Sequence, residues 1–197
     1  MKKLLYLLPL VAFTSLVACN KDGSKQVTRE KFDEKIAGVV DNSNYTYVHA
    51  LVDEVAKGQA FNTSSQTVVP ADKENHRDRE YNKVDGEWQV EQLDDLYIVA
   101  YFVEGTINNY ATIVSPDLDY CTFHLNPFMV KCVWDEDDVE GGAPYHVHQT
   151  WKYVWDGYGR LKSMRQYTEK TSNLTGIVEG YTTITATSET TIKFTYR

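Results

Sequence analysis

The sequence predicts a mainly β fold (α+β), in which one N-terminal helix packs on a strongly curved antiparallel sheet or open half-barrel. Three observations support this prediction. Fourteen tyrosines, together with abundant threonine, favour strands. Apolar and polar residues alternate along most of the chain after residue 44. One stretch, Thr28 to Val40, has helical spacing instead. A two-sheet β-sandwich is the alternative architecture.

The predicted helix begins at Thr28, whose hydroxyl is suited to cap the first turn. The polar segment Asp41 to Asn44 is expected to stop it. Its apolar residues fall on one stripe that would face the sheet: Phe32, Ile36, Val39 and Val40.

The first half of the predicted sheet follows this helix. Tyr45 to Val55 is expected to be the first strand, and Lys57 to Pro70 a less regular segment. The densely charged segment Ala71 to Glu80 is expected to be an exposed loop or a short helix. Asp85-Gly86 marks a hairpin turn before a short strand, Trp88 to Glu91. Three further elements are expected, namely a central strand, a turn and another strand, at Leu96 to Val103, Asn108-Asn109 and Tyr110 to Val114.

The second half contains the clearest alternation. Tyr145 to Trp155 is expected to be a strand that turns back through residues 156–159 into a second strand, Arg160 to Glu169. A terminal hairpin is expected with its turn at Ser188-Glu189. The apolar face of that hairpin contains Ile184, Ala186, Ile192, Phe194 and Tyr196.

The chain begins with the pattern of a secretory leader. Met1-Lys2-Lys3 is positively charged, and the apolar stretch Leu4 to Val17 is shorter than the roughly 18 to 20 residues that span a bilayer as a helix. Leu16-Val17-Ala18-Cys19 then leads directly into polar sequence. This arrangement resembles the lipobox of bacterial lipoproteins. An ordinary secretory leader with an incidental cysteine is the alternative.

The resemblance implies that the Cys19 thiol is diacylglyceryl-modified and that the leader is cut before it. The expected organisation is therefore a signal peptide over residues 1–18, a polar tether over 19–26 and a single β-rich domain over 27–197. The mature protein would be anchored on the extracytoplasmic side of the cell membrane or outer membrane. Each buried methylene of the acyl chains contributes about 0.8 kcal/mol to such an anchor.

The charge of the mature chain restricts its partners. Loss of residues 1–18 removes Lys2 and Lys3 and no acid, which leaves 18 basic and 28 acidic residues and a formal charge of −10. Nucleic-acid binding requires clustered lysine and arginine, so the sequence argues against it. The same acidity argues against electrostatic attachment to anionic lipid, so the acyl anchor would hold the protein on the membrane.

The two cysteines outside the leader are expected to form a disulfide, because the predicted compartment is oxidising. Asn126-Pro127 is a turn signal midway between Cys121 and Cys132. Folding the segment about that turn places the two cysteines opposite each other on one apolar face. Two buried free thiols are the alternative.

Three groups of residues are candidates for binding. His146 and His148 share a face of a strand and could chelate a metal weakly, but two imidazoles on a wet face are the simpler interpretation. The acidic run 135–138 lacks the spacing of a calcium loop, and a solvated loop is expected. The aromatic face of the strand before residue 156 either lines a ligand site or is core, and core is favoured; it contains Tyr145, Trp151, Tyr153 and Trp155.

The sequence contains no motif that fixes a reaction or a cofactor, so a noncatalytic protein is expected. A helix followed by a meander resembles, in layout only, the half-barrel lipid-binding lipoproteins. That resemblance implies a lipid or other small hydrophobic ligand between sheet and helix. A surface adhesion or interaction protein without a ligand cavity is the alternative.

Overall fold

The computed structural model describes residues 23–37, 45–92, 98–99, 121–158 and 160–197. Ten strands in these ranges form one antiparallel sheet that is not closed into a barrel. The strand order is β1-β6-β7-β8-β9-β10-β2-β4-β5, with β3 paired to β2 beside this path. The predicted mainly β, open-sheet fold is therefore confirmed, and the two-sheet alternative is not.

The elements follow the chain in a simple order. Helix α1 covers Arg29–Ala37. The strands are β1 Lys25–Val27, β2 Tyr47–Asn62, β3 Thr67–Pro70, β4 Lys73–Val84, β5 Glu87–Trp88, β6 Cys121–Asn126, β7 Met129–Glu140, β8 Ala143–Trp155, β9 Leu161–Asn173 and β10 Thr183–Tyr196. Among the described residues, no helix is long and apolar enough to cross a membrane.

The sheet has two ends that differ in their connections. At the near end, β6 turns into β7 through Pro127-Phe128, β8 turns toward β9 after Trp155, and Gly23-Ser24 leads into β1. At the far end, β7 turns into β8 through Gly141-Gly142, and residues 174–182 connect β9 to β10. Both glycines of the far turn have positive φ, 59° and 84°, which suits the mirror-image turns that match strand twist.

One face of the sheet carries the core, because side chains alternate between the faces of each strand. The main apolar cluster lies toward the near end and includes residues from β2, β4 and β6 to β10. A smaller cluster of Ala143, Leu174 and Ile184 lies at the far end. The opposite face, called the wet face below, carries mostly polar and charged side chains.

Helix α1 packs on the core face through Phe32, which is buried with its ring centroid 4.6 Å from that of Phe123 on β6. The Thr28 carbonyl accepts a hydrogen bond from the Phe32 N–H at 3.2 Å, as expected of a capping residue. The predicted end of the helix at residues 38–44 lies outside the described residues.

The charged segment Ala71 to Glu80 is not a loop or a short helix, as the sequence predicted, but most of it belongs to strand β4. The side chains of β4 alternate between the two faces of the sheet, so Tyr81 is buried whereas His76 and Asp78 are exposed. Arg77 on the core face forms an ion pair with Glu54 of β2, with Nη2 and Oε1 separated by 2.6 Å. Cross-strand pairing of opposite charges thus allows a charged sequence to form a long strand.

The predicted terminal hairpin is also wrong, because β10 is one continuous strand with no turn at Ser188-Glu189. The alternation runs through this position without a break in phase, from Ile184 to Ile192 on the core face. On the wet face Glu189 accepts two hydrogen bonds from the Arg165 guanidinium, at 2.8 and 2.6 Å. This bidentate pair stabilises the charged Glu189 side chain in the middle of a strand.

Two other boundaries differ from the sequence predictions. The acidic run 135–138 is not a solvated loop but part of strand β7, where it pairs with β8. The polar tether is shorter than expected, since Lys25 and Gln26 already belong to β1 and pair with β6.

Some predicted elements are placed only in part. The leader and Cys19 lie outside the described residues, as do the predicted turn and strand between residues 108 and 114. Of the predicted strand Leu96 to Val103, only Ile98 and Val99 are described. Both are helical, and Ile98 is buried in the main core. The predicted turn at Asp85-Gly86 is confirmed and joins β4 to β5.

Candidate functional site

The predicted aromatic face divides into core residues and one groove residue. Trp151, Tyr153 and Trp155 are 5%, 2% and 6% exposed and belong to the main core. The core interpretation is therefore confirmed for these three side chains. Tyr145, nearer the far end of the same strand, is only half-buried. It is the member of this set that an outside ligand can reach.

An open groove of about 580 Å³ lies beside Tyr145 at the far end of the sheet. It is formed by the ends of β7, β8, β9 and β10, the strands that meet around the Gly141-Gly142 turn. The residues that line it include Asp137, Asp138, Tyr145, His146, Thr171 and Thr183. Alternation along the strands places the side chains of Asp137, His146 and Thr171 on the wet face and those of Asp138 and Tyr145 on the core face. On the wet face the groove therefore offers carboxylate, imidazole and hydroxyl groups for hydrogen bonding.

Tyr145 is held in place by one contact at its hydroxyl and one at its ring. Its hydroxyl donates a hydrogen bond to Oδ2 of Asp138 at 3.2 Å. The Lys170 ammonium lies 4.0 Å from the ring centroid, and it forms an ion pair with Glu140. Partial desolvation, followed by the hydrogen bond to Asp138, raises the pKa of Tyr145 above its ordinary value. The hydroxyl is therefore a hydrogen-bond donor at neutral pH.

The two histidines singled out in the sequence lie on the wet face of β8 and contact acids of β7. His146 Nδ1 lies 2.9 Å from Oδ1 of Asp137, and His148 Nδ1 lies 2.7 Å from Oδ1 of Asp135. These contacts follow from the register, in which Asp137 is opposite His146 and Asp135 is opposite His148. The acidic run thus supplies the histidines with hydrogen-bond partners.

This arrangement bears on the expected metal chemistry. Within the described ranges, no three residues of the types His, Cys, Asp and Glu are grouped so that they could hold a metal ion. His146 and His148 each already have a carboxylate partner at hydrogen-bond distance. A structural zinc site requires four ligands held in tetrahedral geometry.

We therefore predict that protein purified without a histidine tag contains well below one zinc per chain, measured by elemental analysis. Replacement of His148 by alanine should leave the metal content unchanged. A full equivalent of zinc in the wild type that is lost in His148→Ala would contradict this prediction.

A second histidine–carboxylate group on the same face was not recognised from the sequence. His76 of β4 lies 2.8 Å from Asp53 of β2 and 2.9 Å from Glu74, and His49 pairs with Asp78. Hydrogen bonds to Asp53, and then to Glu74, raise the pKa of His76. Recognising the charged segment as a strand would have revealed this group, because β2 and β4 pair directly.

The predicted register of the β6–β7 hairpin is wrong by two residues. Cys121 lies opposite Trp134, and Cys132 lies opposite Phe123. The turn residues are Pro127 and Phe128, because proline is favoured at the second turn position and asparagine at the first. The Asn126 side chain accepts a hydrogen bond from the Phe128 N–H at 2.9 Å.

In the structure the two cysteines are thiols rather than a disulfide, and they are diagonal neighbours on the core face. The hydrogen bond with the Cys132 thiol, and the charge of Arg29, lower the pKa of Cys121 although partial burial raises it. A lowered pKa favours the reactive thiolate. The disulfide between them stays a prediction.

Non-reducing peptide mapping of protein exported from its host should find Cys121 joined to Cys132. Cys132→Ser should then lower the free energy of unfolding by about 3 kcal/mol relative to the oxidised protein, from loss of the closed loop. Alkylation of both thiols without prior reduction would contradict the prediction.

No protein-family model, curated protein sequence or solved structure matches this chain.

Proposed function

We propose that this chain is a lipid-anchored, noncatalytic extracytoplasmic protein whose far-end groove binds a positively charged partner. The Leu16-Val17-Ala18-Cys19 sequence supports the anchor. The observation that carries the binding role is the far-end groove, whose lining includes the exposed acids Asp137 and Asp138 of β7. A cation can pair with these carboxylates.

The burial of Trp151, Tyr153 and Trp155 favours an interaction protein over a carrier of small hydrophobic ligands. These side chains were the candidates for the wall of a lipid cavity, and they pack instead against other core residues. The hypothesis that a hydrophobic ligand binds between the sheet and the helix therefore loses its main support. An interaction site on the surface requires no cavity in the core.

The charge around the groove supports a basic partner. Five of the six residues from Asp135 to Glu140 are acidic, and the described side chains among them are exposed. Exposed charges interact over about 8–10 Å at moderate ionic strength, so these acids act together on an approaching cation. Binding is consequently expected to weaken as salt is added.

The proposal is tested with fluorescein-labelled oligolysine as the probe and oligoglutamate as its negative control. The protein is the chain of residues 19–197 with Cys19→Ser, which keeps the domain and removes the acylation site. Asp137→Asn combined with Asp138→Asn should weaken oligolysine binding about fivefold at low salt, because two charge contacts of roughly 0.5 kcal/mol each are lost. Fluorescence anisotropy measures the affinity.

The matched control is Glu87→Gln combined with Glu91→Gln, which removes the same charge from exposed positions outside the groove. The control should bind oligolysine with nearly wild-type affinity. Equal loss in both double variants would mean that net charge alone attracts the probe and that the groove is not a binding site. Absence of oligolysine binding by the wild type would also contradict the proposal.

A further inference from the structure

The polypeptide reaches the sheet at its near end, close to the proposed anchor. Gly23 follows Cys19 by four positions, so this segment can span at most about 14 Å. Strand β1 starts at Lys25, opposite Leu125, next to the β6–β7 turn. Gly23 lies in a groove of about 370 Å³ that is also lined by Phe128 and Lys152. An acyl group on Cys19 would therefore keep the near end close to the bilayer.

Two large apolar side chains protrude from this end. Phe128 in the β6–β7 turn is 56% exposed, and Tyr158 in the β8–β9 turn is 81% exposed. The two turns are connected, because the Trp155 N–H donates a hydrogen bond to the Phe128 carbonyl at 2.8 Å. Aromatic side chains at the level of lipid headgroups are characteristic of surfaces that contact membranes.

Basic residues lie just behind these aromatic tips. Lys131, Lys152 and Arg165 are directly opposite one another across β7, β8 and β9 on the wet face. Within this row Arg165 also pairs with Glu189 of β10. Arg160, at the β8–β9 turn, lies 5.0 Å from the Tyr158 ring centroid. Arg160 also pairs with Asp156, and lipid phosphates would be favourable contacts for the two lysines of the row.

The far end has the opposite charge, with the acidic residues 135–138 and Glu140. The near end also carries Asp85 and Glu87 at the β4–β5 turn, so the attraction of an anionic bilayer is confined to its β7–β8 part, where Lys131 and Lys152 lie. Strand β8 alone has 13 residues, so the two ends are roughly 40 Å apart. The position of Gly23, the exposed aromatics and the distribution of charge all give the same orientation.

We propose that the near end of the sheet is a membrane-contact surface, where Phe128 and Tyr158 insert at the headgroup level and Lys152 and its basic neighbours face lipid phosphates. This inference rests on the proposed anchor at Cys19. It deepens the proposed function, because the sheet stands upright on the bilayer and presents the far-end groove away from it.

The test uses the acylated full mature protein on vesicles of phosphatidylcholine and phosphatidylglycerol, with hydrogen exchange followed by mass spectrometry. The reference is the chain of residues 19–197 with Cys19→Ser in buffer. Peptides that cover residues 124–130 and 155–161 should take up less deuterium on vesicles. A peptide that covers the Gly141-Gly142 turn should be unchanged, which provides the internal control.

A pair of variants gives a second measurement. Phe128→Ser combined with Tyr158→Ser should speed transfer of the acylated protein between vesicles about fivefold, since two partly inserted apolar side chains are lost. Val139→Ser combined with Tyr181→Ser removes two exposed apolar side chains elsewhere on the protein and should leave the rate unchanged.

The outcomes separate the anchor from the orientation. If protein isolated from its host has an unmodified Cys19 and does not float with vesicles, the proposed anchor is overturned. The inference about the membrane-contact surface then fails with it. Acylated protein that floats but shows unchanged exchange at both near-end turns would overturn the membrane-contact surface alone. Protection of the Gly141-Gly142 turn instead would reverse the orientation and also contradict the proposal.

Discussion

Trp151→Ala should lower the free energy of unfolding by about 3–5 kcal/mol, the cost typical of deleting a large aromatic side chain from a packed core. Trp151 is 5% exposed and lies in the main apolar cluster between β7 and β9. The loss of stability combines the lost transfer free energy of the indole with the free-energy cost of the cavity it leaves. Chemical denaturation of the chain of residues 19–197 with Cys19→Ser, followed by circular dichroism, measures the change.

Tyr145→Ala is the matched control from the same strand and the same face. Because Tyr145 is only half-buried, its loss should cost only about 1 kcal/mol of stability. A Trp151→Ala protein that is as stable as the wild type would contradict the account. That result would mean that Trp151 faces a void, and it would restore the hydrophobic-ligand hypothesis.

The two-residue alternation of apolar and polar side chains was sufficient to predict the strands that have one apolar face. β8 was expected at Tyr145 to Trp155 and is Ala143–Trp155, because its aromatics recur at every second residue. The β4–β5 turn was found from Asp85-Gly86, whose positive φ values of 52° and 87° suit these residues. Both features depend on residues that are close in the sequence. The turn follows from the backbone preferences of two residues, and the buried face of the strand follows from its own alternation.

The sequence did not predict the strands that are stabilised mainly by pairing with adjacent strands. The charged strand β4 and the acidic part of β7 have no continuous apolar face, so their sequences resemble those of loops. Backbone pairing and cross-strand ion pairs hold them in the sheet, and these depend on residues far away in the chain. Glu189 suggested a turn for the same reason, since its partner Arg165 could not be identified without the register.

The candidate site was predictable only in part. The sequence placed His146 and His148 together on a wet face, and the structure does so. Their carboxylate partners required the β7–β8 register, which single-strand patterns do not contain. Tyr145 was grouped with three core aromatics because alternation gives the face of a residue but not its depth along the strand. The far-end groove depends on that depth.

Cys19→Ser should abolish attachment to the membrane, the central element of the proposed function. The resemblance to a lipobox implies that the Cys19 thiol carries the lipid, and serine cannot accept the same thioether-linked group. Several long acyl chains, at about 0.8 kcal/mol per buried methylene, hold a protein stably on a bilayer. Without them an acidic chain of this charge has no comparable attraction to lipid.

Labelling of producing cells with radioactive palmitate tests this claim most directly. We predict that the wild type and a Cys121→Ser control incorporate the label and sediment with membranes. Cys19→Ser should be unlabelled, and it should either keep its leader or be released as soluble protein. Equal labelling of the wild type and Cys19→Ser, or no label in the wild type, would contradict the account.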